Sequence, residues 1–189
     1  IDQPAVSSPS TEKPIVMDGT SILMGGCASR PGLAYTNILG RRFDRVAYNL
    51  GFSGNARLDL EIASLMASVE DPGAFVLDCV PNSTEQMIEE RGEKFFRILR
   101  DAHPDVPVIF VEDPVFPRGE FDTKLGEEVV GRNLKWSALF KKLKKSGEKD
   151  IYYVSSKDML GHDNEATVDG SHFTDVGNLR YVDNIMPVL

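Results

Sequence analysis

Ser21, His172 and Asp169 are the residues whose types and setting could together move an acyl group. Ser21 follows an apolar run, Ile15-Val16-Met17, that breaks abruptly into Asp18-Gly19-Thr20. A hydroxyl at such a strand end can attack a carbonyl carbon if a base takes its proton and a third group holds the base. The chain has three histidines. His103 precedes Pro104 at a helix end and His162 lies in the polar stretch Gly161-His162-Asp163-Asn164-Glu165, so both are expected at the surface. His172 stands three residues after Asp169. That spacing lets the carboxylate accept from one ring nitrogen while the other faces Ser21. Negative charge developing on the carbonyl oxygen needs donors. The backbone N–H groups of Ser21 and Gly54 and the side-chain amide of Asn82 are the expected set. Glycine allows close backbone approach, and the Asn82 amide donates without carrying charge.

Other chemistries fit these residues less well. Asp18-Gly19-Thr20 after a strand would suit an aspartate that attacks phosphate, but that arrangement wants a second aspartate two residues earlier, and position 16 is Val16. No Gly-x-x-x-x-Gly-Lys phosphate loop is present. His162, Asp163, Asp169 and His172 could be imagined around a metal, yet they lack the helical spacing of a His-Glu-x-x-His ligand pair. No metal and no other cofactor are expected. Asn55, Arg57 and Asp113 are the expected lining of a polar opening for substrate, with an Arg57–Asp113 surface pair as the alternative.

The elements that must position these groups are legible as alternation. Apolar or β-branched runs at 15–18, 46–50, 74–80, 107–112 and 151–155 read as short, fully buried strands. Helical segments lie between them. One spans 84–101, with Ile88, Phe95, Ile98 and Leu99 on one face and Ser83 and Gln86 at capping-box spacing. Others span 123–146 and 175–186, the last with Val176, Leu179, Val182 and Met186 on one side. Strands alternating with helices imply parallel βαβ units and a sheet covered on both faces. Ligands bind beyond the carboxyl ends of such strands, which is where Ser21, Gly54, Asn82, Asp113 and, at some distance, Asp169 and His172 fall. Residues 1–13 are rich in proline and serine and read as a linker or tail before a domain over 14–189.

Composition narrows the partners. The chain has 189 residues, enough for one domain with a layered core, and a net charge of −8. That charge disfavours nucleic acid and anionic membrane surfaces. No apolar run approaches the ~20 residues of a membrane span. The basic run Lys141-Lys142-Leu143-Lys144-Lys145 reads as the solvated last turn of a helix. Cys27 and Cys79 have no zinc-ligand spacing and are expected as buried free thiols, with a single disulfide as the alternative.

The set Gly19-Thr20-Ser21, Asn49-Leu50-Gly51-Phe52-Ser53-Gly54, Asn82 and Asp169-Gly170-Ser171-His172 resembles the four blocks of the SGNH hydrolases, or GDSL-like esterases. The stretches at 25–42 and 77–82 resemble one bacterial subgroup of GDSL-like acylhydrolases. The resemblance implies a three-layer α/β/α sandwich with a flavodoxin-like five-stranded parallel sheet. It implies a serine esterase with Ser21 as nucleophile, His172 as base, Asp169 as its orienter, and Ser21, Gly54 and Asn82 as the oxyanion hole. Some related chains carry an upstream β-sandwich domain, compatible with the linker-like start. Two positions depart from the family pattern: Thr20 replaces the aspartate of Gly-Asp-Ser, and Phe173 stands where proline is common. Neither removes a chemical role. The expected substrate is a short-chain acyl ester, acetyl among the candidates, of a carbohydrate or other polar alcohol, and a secreted or periplasmic location would go with it. An acyltransferase using the same residues and a non-catalytic binding module are the alternatives.

Overall fold

The computed structural model describes residues 10–189. The expected tail falls largely on residues outside that range. Five strands, β1 (Ile15–Gly19), β2 (Ala47–Gly51), β3 (Ala74–Asp78), β4 (Val108–Val111) and β5 (Ile151–Val154), form one parallel sheet in the order β2-β1-β3-β4-β5. The helices are α1 (Ser21–Met24), α2 (Tyr35–Phe43), α3 (Leu60–Ala67), α4 (Glu85–Ala102), α5 (Thr123–Lys145) and α6 (Asp175–Ile185). This is the three-layer, flavodoxin-like sandwich that the alternation and the resemblance imply.

The period-2 alternation of the strands divides the core. Ile15, Met17, Val76, Ile109 and Val111 point to one face and meet Leu23 of α1, Tyr35 and Leu39 of α2 and Tyr181 and Ile185 of α6. Val16, Phe75, Leu77, Val108 and Phe110 point to the other and meet Met66 of α3, Phe95 and Leu99 of α4 and Trp136 of α5. The three inner strands β1, β3 and β4 are buried throughout. The two outer ones are not: Tyr48 of β2 and Tyr152 of β5 are exposed, because a sheet edge has a neighbour on one side only.

Two helix readings change in detail. The N-cap of α4 is Thr84, whose hydroxyl accepts from the Met87 N–H at 3.2 Å, so the Ser83–Gln86 box is not the cap. Ser83 instead donates its hydroxyl to the Cys79 carbonyl and is buried. In α6 the inward face is Gly177, Asn178, Tyr181, Val182 and Ile185, while Val176 and Leu179 are exposed. Polar contacts fix that rotation: Asn178 Oδ1 accepts from the Tyr35 N–H at 3.0 Å, and the Tyr181 hydroxyl donates to Asp78 at 2.6 Å. The lysine run ends α5 as expected.

Glycine at the strand ends sets how closely α1 approaches the sheet. A Cβ on Gly51 would lie 2.6 Å from the Met24 nitrogen and 2.7 Å from its Cα, both backbone atoms that cannot rotate away. Gly51→Ala should therefore lower stability by about 1–3 kcal/mol through overpacking. A urea titration should show the midpoint falling with the slope unchanged; a midpoint equal to wild type would mean that α1 moves freely.

Candidate active site

The three adjacent strands β2, β1 and β3 end in register. Gly19 pairs with Gly51 on one side and Asp78 on the other. The turns that leave them start at one level, and the Phe52 N–H donates to the Gly19 carbonyl at 2.8 Å, tying the second turn to the first. The first turn carries Ser21 at the start of α1, whose N-cap Thr20 accepts from the Ile22 N–H. The second carries Gly54, in the left-handed region at φ 70°. The third is a 3₁₀ turn, Val80–Asn82, that presents Asn82. Among the described residues, no protein acceptor takes the Ser21 or Gly54 N–H or the Asn82 side-chain amide.

The fourth component comes from the segment before α6. Asp169 Oδ1 accepts from the N–H groups of Ser171, at 3.0 Å, and His172, at 2.7 Å. Its Oδ2 lies 2.6 Å from His172 Nδ1, and His172 Nε2 lies 2.8 Å from Ser21 Oγ. Partial burial opposes the Asp169 charge, but the donors from His172 and Ser171 outweigh it and hold the carboxyl down at about 2. Asp169 is therefore an acceptor at neutral pH. That makes Nδ1 the protonated ring nitrogen and leaves the Nε2 lone pair for the Ser21 hydroxyl. Phe173, the next residue, is buried with its ring 4.9 Å from that of Tyr181. It is core packing, and it anchors the backbone that aims His172 outward.

The remaining expected residues have partners of their own. Asp113 is fully buried and pairs with Arg132 at 2.7 Å, its backbone N–H and carbonyl both bonded by the Asn133 side chain, so it neither lines an opening nor pairs with Arg57. Arg57 and Asn55 are exposed; the Asn55 amide donates to the Ser53 carbonyl and the Arg57 carbonyl accepts from Arg91. His162 faces Asp158 and Asp163 is held by Arg180, so neither joins Asp169 and His172. His103 is half-buried, its ring bonded to the Ala67 carbonyl. Both cysteines are free thiols; Cys79 is buried and Cys27 exposed, against the expectation that both would be buried.

Beneath the strand ends lies a set of buried acids that composition did not flag as special. Asp78, inside the otherwise apolar run Ala74-Phe75-Val76-Leu77, accepts from both the Tyr35 and Tyr181 hydroxyls. Burial pushes it up to about 7 against the pull of those two donors. Burial likewise pushes Asp18 up to about 7, with the Cys79 thiol pulling it down and the neighbouring Asp78 charge pushing it further up. An aspartate ending an apolar strand run was the one sequence signal for this layer.

Fold and site together define a class: an α/β sandwich with a serine–histidine–aspartate chain of hydrogen bonds at the carboxyl edge of its sheet. The profile of the GDSL-like lipase/acylhydrolase family matches residues 12–189, and the chain belongs to that family. A protein of Bacteroides ovatus designated a GDSL-like lipase is 37% identical, with a TM-score of 0.90 over 96% of this chain and 53% of its own. A salicylyl-acyltransferase from a tetracycline biosynthetic pathway is 16% identical, with a TM-score of 0.76 over 94% of this chain and 54% of its own. A family two carbohydrate esterase of Clostridium thermocellum, solved with cellohexaose, is 15% identical, with a TM-score of 0.66 over 96% of this chain and 65% of its own. The last two likenesses are of fold alone. The chain spans about half the length of the first two of these structures. No curated protein matches it.

The buried acids make a stability prediction. Asp18 and Asp78 keep their protons up to about pH 7 in the folded protein, whereas an ordinary aspartate loses its proton near 3.8. Between those values the folded state binds more protons, so stability falls as pH rises from about 4 to 7 and levels off above. Asp169 acts oppositely and lower down: its contribution is complete above 3.8 and is lost as pH falls towards 2. The urea midpoint should be higher at pH 5 than at pH 7.5, and Asp78→Asn should shrink the difference. Equal wild-type midpoints would contradict this account.

Proposed function

We propose that the chain is a serine esterase that hydrolyses short-chain acyl esters, acetyl esters of carbohydrate or other polar alcohols foremost. The observation that carries the reading is the continuous chain from Ser21 Oγ to His172 Nε2, at 2.8 Å, and from His172 Nδ1 to Asp169, at 2.6 Å. Ser21 is the nucleophile and His172 the base. As Oγ attacks the ester carbonyl, Nε2 takes its proton, and the ionised Asp169 stabilises the imidazolium that forms. The oxyanion is held by the Ser21 and Gly54 N–H groups and the Asn82 amide, a set with no net charge. His172 then gives its proton to the departing alcohol. Water repeats the sequence on the acyl-enzyme and frees Ser21.

One feature favours water as the acceptor: the side chains of His172 and Asp169 are 31% and 50% exposed, so the base is open to solvent. The exposed Asn55 and Arg57, after β2, offer hydrogen-bonding groups to the polar alcohol of the substrate. The alternative within the same chemistry is acyl transfer to an alcohol, in which case added alcohol should raise turnover and transfer product should exceed hydrolysis product. A binding module would have no need of the Ser21–His172–Asp169 geometry.

The test is hydrolysis of p-nitrophenyl acetate, butyrate and octanoate. Activity should favour the short esters. Ser21→Ala should lose ~10⁴-fold or more, and Asn82→Ala about 10²–10³-fold in kcat, each with an unchanged unfolding midpoint. A folded Ser21→Ala protein with wild-type activity would remove Ser21 from the mechanism.

A further inference from the structure

The turn after α1 folds back against the imidazole. Gly25 ends the helix in the left-handed region at φ 93°, and the Gly26 N–H donates to the Ser21 carbonyl at 2.9 Å. A Cβ on Gly26 would lie 3.2 Å from His172 Cδ2, so backbone passes directly beside the ring. Cys27 follows, at φ 66°, with its thiol free and exposed. The Cys27 sulfur, a ring nitrogen of His172 and a carboxylate oxygen of Asp169 all lie within 4.8 Å of one another.

A thiolate, an imidazole and a carboxylate are a donor set for a borderline-soft divalent cation, with positions left open for water. Tetrahedral zinc, with Zn–S of about 2.3 Å and Zn–N and Zn–O of about 2.0–2.2 Å, places ligand atoms roughly 3.5 Å apart. His172 Nδ1 and Asp169 Oδ2 stand 2.6 Å apart, so a metal at Nδ1 needs that hydrogen bond opened by about an ångström and the Cys27 sulfur drawn in, both within reach of rotation of the exposed Cys27 and Asp169 side chains. We propose that Cys27, His172 and Asp169 bind Zn²⁺ or a similar thiophilic cation, and that binding switches the Ser21 site off.

The inhibitory half rests on the reading of His172 as the base. On Nε2, the metal consumes the lone pair that would receive the Ser21 proton. On Nδ1, it leaves the ring proton on Nε2, which then cannot accept. Either way no base remains. Binding releases the thiol proton to solvent and changes no oxidation state. Hard cations such as Mg²⁺ prefer all-oxygen sites and should not bind here. The role is inhibition, so the esterase chemistry itself still needs no metal.

The site can be tested with and without catalysis. Hydrolysis of p-nitrophenyl acetate should be abolished by micromolar Zn²⁺, restored by EDTA and unaffected by Mg²⁺. Cys27→Ser and Cys27→Gly should keep the metal-free rate and need at least 10-fold more Zn²⁺ for half-inhibition. Cys27→Gly suits the left-handed backbone and so guards against misfolding. His162→Ala, which removes the exposed His162–Asp158 pair, should be inhibited like wild type. Independently of activity, Co²⁺ added to the Ser21→Ala chain should give the near-ultraviolet thiolate-to-metal band, and added to a Ser21→Ala, Cys27→Gly double variant it should not. Inhibition of the Cys27 variants at wild-type Zn²⁺ concentrations, or no Co²⁺–thiolate band, would overturn the proposal. An inactive wild type that still shows a Cys27-dependent band would overturn the esterase reading and leave the metal site standing.

Discussion

The constraint on which the site depends is where β1 stops. Gly19 ends the strand level with Gly51 and Asp78, and the chain must turn at once into α1 between two neighbouring strands. Only backbone fits there. A Cβ on Gly19 would lie 2.8 Å from the Leu23 Cβ and 2.9 Å from the Asp78 carbonyl, and one on Gly51 would meet the Met24 backbone. Because the Asp78 and Met24 atoms are backbone and the Leu23 Cβ moves only with its backbone, the position of Ser21 is set by the sheet and not by its own side-chain preferences. The Gly54 and Asn82 turns start from the same level, which is how three donors far apart in sequence are brought to one edge.

The histidine arrives from the other direction and is held by the core. Phe173 is buried against Tyr181, so His172, one residue earlier, is turned outward. Tyr181 donates to Asp78, the last residue of β3, four residues before Asn82 in the following turn. His172 and Asn82 thus share an anchor. Burying a carboxyl there is costly unless it is protonated or fully hydrogen-bonded, and the two tyrosines supply the bonds. At the opposite end of the sheet polar groups serve closure instead. The buried Arg100 guanidinium donates to carbonyls of His103, Pro104, Val106, Lys149 and Asp150, binding the approaches to β4 and β5.

The same turn that fixes Ser21 also delivers Cys27. A four-residue helix capped by Gly25, followed by Gly26 bonded back to Ser21, brings the chain round to the imidazole within one short loop. A free thiol beside His172 is therefore a consequence of how tightly α1 is closed. The His172 side chain, 31% exposed, is open to solvent on the side that this loop leaves free.

Much of this was written in the sequence. Five apolar runs separated by helical periodicity determine a parallel α/β sheet, because buried parallel strands need crossovers and apolar residues on both faces. Ser21, His172 and Asp169 were legible for a local reason: a small-residue turn after a strand, and a carboxylate three residues before a histidine, each constrain geometry over a few bonds. Tertiary structure decided what depends on distant partners. Asp113 looked like an opening residue by its place after β4, but Arg132 and Asn133, from α5, bury and pair it. Val176 and Leu179 looked inward by periodicity, but Asn178 and Tyr181 rotate α6 to reach Tyr35 and Asp78. Cys27 was expected as a buried free thiol, but the fold leaves it exposed and sets it beside His172, far along the chain. Sequence encodes periodicity and local turns directly, whereas a polar side chain's partner is chosen by which elements the packed core brings within hydrogen-bond reach.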